Sequence, residues 1–78
     1  MRYFTYVLAA VGQRRTYVGW TTDLDQRLAT HNAGKGAKST RGRAWVLAYA
    51  EQYPTRHEAM SREYHLRRDR KLRAALLD

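Results

Sequence analysis

Five side chains in this sequence have the types that phosphodiester hydrolysis requires: Tyr6, Tyr17, Arg27, His31 and Glu63. The reaction needs an activated water, stabilisation of charge on a pentavalent phosphate, and help for the leaving oxygen. A carboxylate such as Glu63 can hold Mg²⁺, which prefers few protein ligands and several waters. An arginine such as Arg27 can clamp phosphate oxygens through two parallel hydrogen bonds. A tyrosine or a histidine can pass a proton. Each residue also has a plainer reading: core or surface tyrosines, a solvated helix arginine, a histidine near the negative pole of a helix, and a glutamate in a structural salt bridge. The case for chemistry rests on whether the elements bring them together.

The tyrosines sit on two segments, residues 2–10 and 14–20, rich in Tyr, Thr, Val, Phe and Trp, which suits strands. Gly12-Gln13 between them predicts a two-residue type II′ hairpin turn. That turn places Val11 opposite Arg14, Tyr6 opposite Gly19 and Leu8 opposite Tyr17. Opposed residues share a face, so Tyr6 and Tyr17 emerge on the same side. Gly19 leaves a hollow beside the Tyr6 ring.

Thr21–Asp25 reads as a helix start with Thr22 as N-cap. Leu24, Leu28 and His31 form one stripe of a helix that runs to about Asn32, and Arg27 shares a face with His31. Gly34 is the expected stop. Residues 34–43 read as a loop carrying four cations, Lys35, Lys38, Arg41 and Arg43. The loop lacks the spacing of a nucleoside-triphosphate cradle. Ala44–Tyr53 predicts a third strand. Trp45, Leu47 and Tyr49 alternate with Val46, Ala48 and Ala50, so both faces are apolar and a central position is expected. Pro54 ends it. Thr55 and Glu58 match a capping box for a helix to about Arg68, with Ala59, Met60 and Leu66 as its apolar positions and Glu63 on the inward edge. Asp69 caps a last short helix through Leu77. The order is ββαβαα, in a single domain over residues 1–78.

Fifteen Lys and Arg against seven Asp and Glu give a net charge of +8 on 78 residues. Such an excess favours a polyanionic partner, above all nucleic acid. The chain has no cysteine, which fits a reducing compartment and a cytoplasmic location and removes thiolate metal sites. No stretch has the length and apolarity of a membrane span or the pattern of a signal peptide, so no membrane partner is expected.

The motifs and their order resemble the GIY-YIG nuclease superfamily, in particular its small stand-alone bacterial members. Thr5-Tyr6-Val7 stands for the first motif and Tyr17-Val18-Gly19 for the second. Arg27 and His31 follow, then Gly34–Arg41, then Glu58 through Glu63 to Arg67. The resemblance covers about residues 3–76. It implies an α/β domain of the α+β type, with a three-stranded antiparallel sheet flanked by helices. It also implies cleavage of DNA with a single Mg²⁺ or Mn²⁺ on Glu63, in repair or recombination. Tyr6 and Tyr17 would be the motif tyrosines, one activating water and the other orienting it or the phosphate. Arg27 would stabilise phosphate charge, His31 would support it, and Gly19 would be structural. Lys35, Lys38, Arg41 and Arg43 are the expected DNA contacts.

Thr5 replaces the first motif glycine, and alternation puts it on the face away from Tyr6. Val18 replaces isoleucine, a conservative change. Many catalytic members of the family also carry a late asparagine near the metal. This chain has no Asn after Asn32, a departure that concerns activity and not fold. A nucleic-acid-binding module of the same fold without catalysis, or an adaptor docked on a larger repair complex, would share the charge. Only the Tyr6, Tyr17, Arg27 and Glu63 constellation separates an enzyme from these.

Overall fold

The computed structural model describes residues 1–78. The elements are β1 (Tyr3–Ala10), β2 (Thr16–Thr21), α1 (Leu24–Asn32), a one-turn 3₁₀ helix (Lys38–Thr40), β3 (Trp45–Tyr53), α2 (Arg56–Arg68) and α3 (Arg70–Ala75). The three strands form one antiparallel sheet in the order β2-β1-β3. The fold is α+β with the expected ββαβαα order. No helix is long and apolar enough to cross a membrane.

The expected hairpin register is present: Tyr6 pairs with Gly19 and Leu8 with Tyr17. The turn differs. Residues 11–14 form a four-residue loop closed by a hydrogen bond from Ala10 N to Arg15 O, and Val11 N donates to Ala44 O on the other side. Gly12 has φ +74, and Gln13 N donates to Ala10 O, as in a type II turn with glycine third. A two-residue and a four-residue loop share the same midpoint, so the register survives the change of turn.

β1, not β3, is the central strand. Thr5, Tyr6, Val7 and Leu8 are all at most 2% exposed, because helices cover both faces of β1. Tyr6, Leu8 and Ala10 pack with Trp45, Tyr17, Leu24 and Leu28 on the α1 side. Val7 and Val18 pack with Leu66, Tyr49, Leu72 and Leu76 on the α2–α3 side. The apolar pattern of β3 has another cause. Val7 pairs with Tyr49 and Leu8 with Leu47, so Ala48 is an unpaired bulge residue. A bulge reverses the faces of the residues beyond it. Trp45 therefore joins the α1 side and Tyr49 the α2 side, while Val46 and Leu47 stay exposed on an edge strand.

Beyond the bulge, Glu51 accepts hydrogen bonds from Tyr49 and Tyr53 and a two-pronged ion pair from Arg62 of α2, at 2.8 and 3.1 Å. These bonds hold the Glu51 carboxyl far below its usual range, at about 2, Arg62 contributing most. This cluster and the bond from Thr5 Oγ1 to Ala59 O, 2.7 Å, fix α2 on the sheet. Ala59 has no exposed surface, but Met60 is 46% exposed and is not part of the apolar face. Ala59 and Leu66 alone carry that face, because the Glu51 cluster occupies the space toward β3.

Asp23, not Thr22, caps α1, its carboxylate accepting from Gln26 N at 3.1 Å. Gly34, at φ +76, ends the helix in a Schellman motif: Gly34 N donates to His31 O and Lys35 N to Thr30 O. Thr55 caps α2 and Asp69 caps α3 as expected.

Candidate functional site

The candidate site forms over Gly19, near the free edge of β2. β1 projects Tyr6 across β2 at the one position without a side chain. A Cβ on Gly19 would stand 2.5 Å from the Tyr6 hydroxyl. Tyr17, from the neighbouring strand, lies with its ring 6.4 Å from that of Tyr6 and 4.8 Å from that of His31. α1 supplies Arg27 and His31 from successive turns of one face. Asn32 ties the end of that helix to β3 by bonds to both the N–H (2.6 Å) and the carbonyl (3.0 Å) of Trp45, which fixes His31 over the sheet.

His31 is fully buried and bonded at both ring nitrogens. Its Nε2 lies 3.0 Å from the Tyr6 hydroxyl and its Nδ1 2.9 Å from Thr40 Oγ1. The Thr40 hydroxyl gives its only proton to Ala37 O, at 2.8 Å. Thr40 must therefore accept from His31, so Nδ1 carries the hydrogen. Nε2 then holds a lone pair and accepts the Tyr6 proton. The result is a directed chain: Tyr6 O–H to His31, His31 to Thr40, Thr40 to Ala37 O. Burial, then the Arg27 charge, pushes the His31 pKa down, which keeps the imidazole neutral and able to accept. Burial pushes the Tyr6 phenol up, and the Arg27 guanidinium opposes this. The Arg27 Nε is buried without a hydrogen-bond partner. A buried donor left unpaired in this way is suited to an incoming acceptor oxygen.

Glu63 approaches from the other face of the sheet. α2 packs against the Val7–Val18 side, whereas Tyr6 and Tyr17 lie on the α1 side. The two meet at the edge of β2. Arg67 donates to the outward-facing carbonyl of Val18 at 3.3 Å, and the same guanidinium pairs with Glu63 one turn earlier. Glu63 thus stands beside β2 close enough for its charge to be felt at the Tyr6 phenol, together with those of Tyr17 and Arg27. The structure brings Tyr6, Tyr17, Arg27 and His31 together on the α1 side and holds Glu63, through Arg67, at the β2 edge beside Gly19. The Glu63 side chain is 18% exposed. No group of three or more His, Cys, Asp or Glu side chains is placed to share a metal. A single carboxylate fits Mg²⁺ or Mn²⁺ held largely by waters and excludes a zinc-type cage.

The loop cations divide. Lys35, Lys38 and Arg41 are exposed. Arg43 instead donates to Gln13 Oε1 at 2.9 Å and Ser39 O at 3.3 Å, so it pins the loop to the hairpin turn. Sequence reasoning missed two residues. Thr40 fixes the His31 tautomer, and Gly36 packs so closely on the imidazole that any Cβ there would overlap it. Thr40 sits in a polar stretch with no periodicity, so only the local contrast of one threonine among glycines and cations marks it. Trp45 Nε1 bonds Thr40 O at 2.8 Å and locks the turn.

The GIY-YIG catalytic domain family matches residues 2–74. A UPF0213 protein of Bacillus velezensis is 48% identical over 66 residues, 83% of this chain and 66% of that protein. A UPF0213 protein of Halobacterium salinarum is 52% identical over 52 residues, 65% of this chain and 68% of that one. The chain thus matches about two thirds of the length of these curated relatives. The solution NMR structure of a UPF0213 protein from Bacillus halodurans is 37% identical, with a TM-score of 0.56 over 99% of this chain and 83% of that one. With its tyrosine-bearing sheet and the family match over residues 2–74 of its 78, the chain belongs to the GIY-YIG nuclease family.

Proposed function

We propose that this protein is a metal-dependent endonuclease that hydrolyses DNA phosphodiester bonds, in repair or recombination. The observation that carries the reading is the cluster at Tyr6 of a base behind its hydroxyl (His31), a cation with an unpaired buried donor (Arg27) and a second phenol (Tyr17), with a carboxylate (Glu63) held at the same strand edge by Arg67. A carboxylate facing a phosphate path repels the backbone unless a cation compensates it, a place that Arg67 fills here and that a metal would fill in catalysis.

Tyr6 and His31 form the proton relay. The attacking water gives a proton to the Tyr6 oxygen as the Tyr6 proton passes to His31 Nε2, and the imidazolium keeps its Nδ1–H on Thr40. Tyr17, half-buried and nearer solvent, orients the water or the phosphate. Arg27 gives its free Nε–H to a phosphate oxygen. Glu63 would hold Mg²⁺ or Mn²⁺, which when bound supplies Lewis-acid charge at the scissile phosphate. Arg67 would then turn from Glu63 toward the nucleic acid. Lys35, Lys38 and Arg41 contact the DNA backbone.

The test is nicking of end-labelled branched, flapped, duplex and single-stranded DNA with Mg²⁺ or Mn²⁺, against EDTA. Glu63→Ala should lose at least about 100-fold in cleavage rate while still binding DNA. Binding by the wild type with no metal-dependent cleavage of any substrate would leave a nucleic-acid-binding module, with targeting supplied by a protein partner. Equal cleavage by the variant would trace the activity to a contaminant.

A further inference from the structure

Two hollows adjoin along the outer side of β2, sharing Thr16 and Arg73 as a common wall. The first, about 250 Å³, lies between Tyr17, Ser39 and Arg67. The second, about 410 Å³, continues past Arg15 and Arg70 toward the hairpin turn. Arg73 is held rigid between them. It donates to Thr16 Oγ1 at 3.4 Å, and to the carbonyls of Leu66 and Arg67 at 3.3 and 2.8 Å. All three acceptors are neutral, so its charge is oriented but not cancelled. Arg15, Arg70 and Arg73 have no acidic partner among the ion pairs of the structure; of the other groove arginines, Arg14 is paired with Asp78 and Arg67 with Glu63. The groove begins at Tyr17 and at Arg67, the partner of Glu63. Its other wall there is Ser39, next to Lys38.

We propose that this groove is a phosphate track that carries the nucleic-acid strand away from the candidate cleavage site, along β2 and α3. Arg15, Arg70 and Arg73 contact consecutive phosphates, and the Lys38 loop holds the strand on the opposite side of Tyr17. An acidic protein segment would satisfy the same charges. The opening of the groove onto Tyr17 and Glu63 favours the strand. A preorganised guanidinium loses little conformational freedom on contact, which suits tight but sequence-independent backbone binding. The direction of the strand rests on the nuclease reading; binding in the groove does not.

The experiment is a salt titration of binding to a fluorescent DNA duplex in EDTA, where no cleavage occurs. Arg15→Ala/Arg70→Ala, two exposed side chains, should lower affinity about tenfold and reduce the slope of log K against log salt by about 1.8. Arg15→Lys/Arg70→Lys should retain most of the affinity. Arg2→Ala/Arg56→Ala, an equal charge loss at the other end of the sheet, should change the slope far less. Wild-type affinity and slope in the groove variant would overturn the proposal, as would an equal loss in the distal one. Cleavage measured separately with Mg²⁺ keeps the two ideas apart. A wild type that binds through Arg15 and Arg70 but never cleaves refutes the nuclease reading and leaves the track standing.

Discussion

Gly19→Ala isolates the geometry of the site, because it adds one methyl group where the backbone imposes no penalty of its own. Gly19 is not among the positive-φ glycines, so alanine can adopt its conformation. The added carbon would lie 2.5 Å from the Tyr6 hydroxyl oxygen and 2.7 Å from the ring carbon that bears it. Ordinary contact begins near 3.4 Å, so the phenol must retreat by about 0.9 Å. Tyr6 is 2% exposed and has no free space to swing into, and its bond to His31 is 3.0 Å long. A shift of that size cannot leave the geometry of that bond unchanged. Overpacking of this kind costs about 1–3 kcal/mol. A displacement near 1 Å at a reacting group costs about 100-fold in rate. Urea denaturation should show the loss of stability. Single-turnover cleavage at saturating DNA should show the loss of rate, with little change in DNA affinity. Wild-type stability and rate would mean that the phenol does not rest on Gly19, and the whole site would have to be rebuilt.

Thr40→Val keeps the volume but leaves the buried Nδ1–H of His31 without its acceptor, while Ala37 O keeps the backbone N–H of residue 40, at a cost of roughly 1–3 kcal/mol. Imidazole ¹⁵N shifts should report hydrogen on Nδ1 in the wild type and a mixture of tautomers in the variant; hydrogen on Nε2 in the wild type would reverse the relay. The lowered His31 pKa places the acid limb of the cleavage profile below pH 6.5, because only the neutral ring accepts the Tyr6 proton. A limb above pH 6.5 would assign the titration to another group. Glu51→Gln should destabilise the fold by roughly 1–3 kcal/mol at neutral pH, after allowance for solvent screening at Arg62. The Glu51 contribution is fully present above about pH 4.5 and is lost as pH falls toward about 2, so the variant should flatten that stretch of the stability curve.

The hairpin register and the α1 stripe were legible because each rests on a local rule. Opposed residues share a face, and residues four apart share another. The order of the sheet was not legible. A central strand and a bulged edge strand both present apolar residues on alternate positions, and nothing in Trp45–Tyr53 marks Ala48 as the residue without a partner. The helix start moved by one residue because Thr22 and Asp23 are both competent caps, and only the approach of Gln26 N decides between them. Tyr6, Tyr17, Arg27, His31 and Glu63 could be chosen by chemistry, but their meeting at one place depends on α2 crossing the sheet near Val18. Thr40 and Gly36 act only through His31, and no property of their own announces that.

The same dependence explains why the site sits at the edge of β2 rather than on one face of the sheet. A buried face offers no path to water or to a polymer, and the Tyr6 face of β1 is closed by α1 and Trp45. The opposite face is closed by Leu66. An edge strand is open on one side by necessity, with backbone groups that no neighbouring strand takes, such as the Val18 carbonyl that Arg67 reaches. Tyr6 reaches toward that edge from one face, over the gap left by Gly19. Glu63 reaches it from the other, held by Arg67. Reagents that must be dry and well oriented stay inside, as His31 and Thr40 do, while groups that must meet phosphate stand at the rim. A substitution that moves α2 relative to β2 should therefore separate the two halves without disturbing either. Thr5→Val removes the bond to Ala59 O that fixes α2 above β1. It should lower cleavage more than it lowers the binding of DNA, and the ¹⁵N signature of His31 should stay unchanged. A shifted His31 signature would show that both halves depend on one support, and the division of the site between the two faces would fail.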